Sequence, residues 1–133
     1  MKFTLRDTER VRTVFATIAS DTEIDAGDLV ALDTGLIIKA AAASTEVAYA
    51  IEASASGDTV IEVTKGNDFT LTGTADVVFA VSHKGGEYDI NDTTQTIDIG
   101  ASSTNVLKIG IGTDAGVVDS ASDVTVKINK PIF

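Results

Sequence analysis

Asp28-Leu29-Val30-Ala31-Leu32-Asp33-Thr34-Gly35-Leu36-Ile37-Ile38-Lys39 is the stretch that decides the fold. It reads as two short extended runs, 28–32 and 36–39, separated by an Asp-Thr-Gly turn whose residues tolerate positive φ or close Asx turns. Outward from it the same grammar recurs: extended runs at 11–18, 47–51, 59–65, 68–71, 76–81, 95–99, 106–111 and 124–128, with glycine- and aspartate-bearing turns between them. Alternation is clearest in Ile61-Glu62-Val63-Thr64, Ile97-Asp98-Ile99 and Val124-Thr125-Val126-Lys127-Ile128, the pattern of strands with one buried face. Composition agrees. With 14 Val, 13 Ile and 18 Thr, 45 of the 133 residues are β-branched, against 6 Leu. Strands every ten or so residues predict an all-β chain, a small sandwich or barrel.

The one candidate for a helix is Ala40-Ala41-Ala42-Ala43, because alanine has the highest helix propensity. Pro131 is the single proline and stands just past the last run, where it ends a ladder without breaking one. Ile132 and Phe133 after it gain by burial, which predicts a tethered end. The chain also overlays on itself. Residues 27–47 match 86–106 at a constant offset of 59, among others at Gly27/Gly86, Ile38/Ile97 and Val47/Val106, and 61–66 resumes against 126–131. The expected organisation is an N-terminal arm, residues 1–12, and one β domain, residues 13–133, containing two similar units at 27–66 and 86–131.

The net charge of −10 disfavours nucleic acid and anionic membranes as partners. Residues 1–12 run against this trend, with Lys2, Arg6, Arg10 and Arg12 against Asp7 and Glu9. A chain without cysteine has no disulfide, thiolate metal site or cysteine nucleophile. No apolar stretch approaches membrane-spanning length, and the charged start lacks the layout of a signal peptide.

Constellations for chemistry are sparse. His83 is the single histidine and sits in Val81-Ser82-His83-Lys84-Gly85-Gly86, a strand end entering a glycine turn, which reads as an exposed loop position. There is no G-x-S-x-G elbow. Gly110-Ile111-Gly112-Thr113-Asp114-Ala115-Gly116 lacks phosphate-cradle spacing, and Asp89-Ile90-Asn91-Asp92-Thr93-Thr94 lacks the glycine and closing glutamate of a calcium loop. The 14 aspartates fall mostly at turns, where their side chains cap backbone amides. Without Trp, and with Tyr49 and Tyr88 as the two tyrosines, little is present to hold a sugar ring. No catalytic residue, metal or cofactor is expected.

Three stretches, 24–40 (Ile-Asp-Ala-Gly-Asp-Leu-Val-Ala-Leu-Asp-Thr-Gly-Leu-Ile-Ile-Lys-Ala), Val47-Ala48-Tyr49-Ala50-Ile51 and Gly57-Asp58-Thr59-Val60-Ile61-Glu62-Val63, resemble the capsid decoration, or cement, proteins of tailed bacteriophages. The pattern is an acid-rich turn, two short strands, a loop and a glycine-led strand with Val60 and Val63, over about half of the chain. The resemblance implies a tulip-like β domain that forms a homotrimer, binds the major capsid protein on the outside of the expanded head, and is made in the host cytoplasm. By position it also implies a shell-binding arm, with Phe3 and Leu5 as apolar anchors and Lys2, Arg6, Arg10 and Arg12 as charge contacts. The other reading of these residues is a β-sandwich surface or ligand-binding module of a fibre or adhesin, not attached to a capsid.

Overall fold

Leu29, Val30 and Ala31 are consecutive and all buried, so β3 (Leu29–Asp33) begins with a covered face on each side. The computed structural model in which this is seen describes residues 3–6, 8–20, 22–55, 57–91, 94–118 and 123–133. β3 turns back into β4 (Leu36–Lys39) with Asp33 opposite Leu36. Thr34 and Gly35 both take positive φ, 50° and 83°, as a two-residue hairpin turn with the twist of the strands requires. On its other edge β3 pairs with β5 (Ala48–Tyr49). β2 (Arg12–Thr17) and β6 (Val60–Lys65) form an antiparallel pair, joined to this sheet where Ala50 bridges Val63.

The six remaining strands make one sheet. In spatial order they are β1 (Thr4–Leu5), β7 (Leu71–Thr74), β11 (Asp123–Ile128), β10 (Leu107–Ile109), β8 (Glu87–Asn91) and β9 (Thr96–Asp98), all antiparallel. Among the described residues the chain is thus nearly all β, and its one helical element is a single 3₁₀ turn, Val81–His83.

The two halves share one strand order. The first runs β4-β3-β5-β6-β2, the second β9-β8-β10-β11-β7. The residue after the first strand of each half then bridges the third strand in parallel, Ile18 to Ile37 and Ala75 to Ile97, with Ala19 and Asp76 donating to those residues' carbonyls at 2.9 and 3.0 Å. Each order thereby closes on itself. The hairpin registers coincide at the offset of 59, with Ala31 opposite Ile38 and Ile90 opposite Ile97. The buried faces do not coincide. Val30 and Ile37 fill the interior of the first half with Ile61 and Val63, whereas Ile90 and Ile97 fill the second with Phe79, Leu107 and Val126. Leu29, Ala31 and Tyr49, on the outside of the first half, pack into that second cluster and join the halves.

Residues 40–43 form no helix. Ala40 is buried and donates to the Leu29 carbonyl, the Ser44 hydroxyl accepts from the Ala41 amide at 3.0 Å, and the Ser44 amide returns to the Ala41 carbonyl. A serine that binds local backbone in this way favours a turn over the helix that four alanines would otherwise begin. Residues 76–81 form no strand either, and β1 and β8 arise where no extended run was expected.

Candidate functional site

The described residues at the start of the segment expected to be an N-terminal arm, 1–12, are built into the domain. Phe3 is fully buried in the larger cluster, and its amide donates to the Gly27 carbonyl at 3.0 Å. Its ring fills the space above Gly73, where a Cβ would come within 2.4 Å of it. Leu5, opposite Leu71, is half-buried against the same cluster. An apolar side chain already sealed in its own core cannot also anchor a shell, so Phe3 acts as a core residue here, while Leu5 keeps part of its side chain at the surface. Arg6 remains exposed and donates through Nη1 to the Thr125 hydroxyl at 2.8 Å. Arg10 lies 3.8 Å from Asp68 with both side chains largely in solvent, a pair that contributes little stability. Arg12 opens β2 directly opposite Lys65. The arginines therefore separate: Arg6 faces the six-stranded sheet, while Arg10 and Arg12 border a groove at the far end of β2, with Lys65 and Phe133. Lys2 lies outside the described residues, as do Asp92 and Thr93 of the run 89–94.

The aspartates hold turns. Asp28, Asp58, Asp76 and Asp98 accept from the amides of Asp25, Ala55, Ile99 and Gly100. Burial, and then the neighbouring Asp76 carboxylate, push the Asp98 carboxyl above its ordinary value. Asp89 goes the other way. Burial alone would raise its pKa, but the amides of Ser103, Thr104 and Asn105 donate to its carboxylate at 2.8–3.1 Å and bring it below the usual 3.8. A carboxylate depressed on folding stabilises the protein above its unfolded pKa, and that contribution is lost as pH falls through the lowered native value. Asp89→Asn is accordingly expected to cost about 2 kcal/mol at pH 7. Urea unfolding at neutral pH and near pH 3 should show the gap between variant and parent narrowing in acid; a gap independent of pH would assign the loss to packing.

His83 is half-buried rather than an open loop residue. Its Nδ1 accepts from the Ala80 amide at 2.9 Å, and its ring lies between those of Phe79 and Tyr88, centroids 6.0 and 6.1 Å away. One ring nitrogen is thus spent on closing a turn. Among the described residues no three of His, Asp and Glu gather as a metal-holding group, and no helix is long and apolar enough to cross a membrane.

What the chain does present is apolar surface. Residues 77–81, Val-Val-Phe-Ala-Val, bend so that Phe79 is sealed inside while Val77, Val78 and Val81 stay exposed, Val81 by 64%. Phe79 packs closely over Gly116, which brings exposed Val117 beside them. The Gly85 amide meets the Ile109 and Gly110 carbonyls, which sets Ile111, 80% exposed, next to the same turn. A second exposed pair, Phe15 and Val60, shares the outer face of β2 and β6. The sequence holds a signal for the first group in its run of valines, which its composition predicts as an extended run over 76–81. No protein-family model and no curated protein matches the chain.

Proposed function

We propose that this protein is a non-catalytic structural subunit that associates with itself as a trimer, binds the major capsid protein on the outer surface of a tailed-phage head and stabilises the shell, with no cofactor. The observation that carries the reading is the group of exposed apolar side chains at Val77, Val78, Val81 and Ile111. Large apolar side chains gathered on a domain surface mark association sites, because each loses unfavourable hydration when a partner covers it. The pattern at 24–63 that resembles the decoration proteins supplies the kind of partner. Many weak contacts repeated over a closed shell add up to firm attachment.

Shell contact falls to basic side chains that the fold leaves exposed to solvent. Arg10 and Arg12, beside Lys65, are exposed cations on a chain of net charge −10. The double variant Arg10→Glu/Arg12→Glu is expected to fold, to keep the parent's mass in solution, and to lose binding to undecorated, expanded heads by at least about tenfold in co-sedimentation. Heads that bind the variant as well as the parent would remove these arginines from the contact. Heads that bind neither would refute the shell-binding function.

A further inference from the structure

Charge on this molecule is distributed in a way that folding alone does not explain. Lys108 and Lys127 stand directly opposite each other on β10 and β11, both exposed, an arrangement that repels, while Glu87 of β8 stands opposite Lys108 on its other side. Neither joins an ion pair among the described residues, although acidic side chains outnumber basic ones two to one. Both border a shallow groove of about 430 Å³ running over Ile109, Gly110 and exposed Ile111; Thr125, which holds Arg6, borders it too. This face of the second half carries Lys108, Lys127 and Arg6 against the carboxylate of Glu87, and it reaches exposed Ile111.

The first half carries the opposite combination. Phe15 is 70% exposed, with Glu62 directly opposite it and Val60 on the same face. Next to Val60 opens a recess of about 640 Å³ lined by Thr59, Asp58 and Glu23, and among the described residues no basic side chain lines it. The two surfaces belong to different halves of the molecule, and each joins exposed apolar side chains to charge, mainly basic on the Lys108–Lys127 surface and acidic on the Phe15 surface.

We propose that they are the two sides of one contact, in which the Lys108–Lys127 face and Ile111 of one copy dock against Phe15, Val60 and the Glu23–Asp58 recess of the next. The inference rests on the self-association proposed above and says how it is achieved. A second copy is the occupant that the charges select: a chain of net charge −10 repels its own kind unless its few cations sit where copies meet. A twofold contact through either face would set lysine on lysine or carboxylate on carboxylate. The contact is therefore head-to-tail, the type that closes rings such as a trimer. Apolar centre and charged rim are also the usual anatomy of an interface.

Charge reversal tests this. Lys108→Glu/Lys127→Glu should stay folded by circular dichroism but associate on the order of 100-fold more weakly in light scattering, since like charges would now face each other. Adding Glu23→Lys/Asp58→Lys to the same chain should restore the parent's mass. A parent trimer that keeps its mass after the reversal overturns this contact and leaves the trimer standing, as does a folded four-substitution variant that stays dissociated. A monomeric parent overturns both.

Discussion

Phe3→Ala is expected to lower the free energy of unfolding by about 3–5 kcal/mol, the usual loss when a fully buried aromatic ring is deleted. The ring packs over Gly73 in the main cluster, and Gly73 has no side chain with which to refill the space. Around it the backbone is tied on both sides, through the Phe3 amide to the Gly27 carbonyl and the Arg6 amide to the Thr70 carbonyl. The Tyr49 hydroxyl donates to the Phe3 carbonyl at 3.4 Å, and burial pushes the pKa of that hydroxyl up. Removal of residues 1–12 should then weaken the whole domain and not merely its attachment to a partner. Urea unfolding of the single variant decides the matter: a loss below about 1 kcal/mol, with an unchanged m value, would mean that Phe3 is not part of the core.

Gln95→Ala is expected to cost about 3 kcal/mol. Gln95 sits in the turn between β8 and β9, is 98% buried, and reaches from the second half into the first. Its Oε1 accepts from the Leu29 amide at 2.9 Å and its Nε2 donates to the Ala40 carbonyl at 2.9 Å. Alanine leaves that donor and that acceptor buried without the partner the side chain supplies, the costly way to lose a hydrogen bond. Hydrogen exchange gives a second readout, because the Leu29 amide should lose protection more than amides of β11. Equal protection at Leu29 in variant and parent would show that the side chain does not hold the halves together.

Most strands were legible because the residues that form them are β-branched and their turns are chemically explicit. Leu29–Asp33 and Leu36–Lys39 lie one residue or less from the runs expected, since Asp33-Thr34-Gly35 permits few other conformations. β8 was not legible. Its central Asp89 occupies a buried position that only a loop 14 to 16 residues downstream makes tolerable, by aiming three amides at the carboxylate. β1 is two residues long, and its place in the sheet comes from Phe3 and its neighbours meeting Gly27, Gly73 and Thr70, none of them local. The exposure of the valines of 77–81 was not legible for the converse reason: an apolar run looks the same whether it faces its own core or solvent. The lysine pair was equally hidden, because Lys108 and Lys127 meet only through the pairing of β10 with β11.

The central claim is that this chain is a self-associating structural subunit. Its molar mass in solution, by light scattering on a size-exclusion column, tests that most directly. A mass of three chains of 13.8 kDa, falling as added salt screens the Lys108–Lys127 face, is the result the account predicts. A mass of one chain at every concentration and salt would contradict it, and would return the exposed apolar surface to a free-standing binding module.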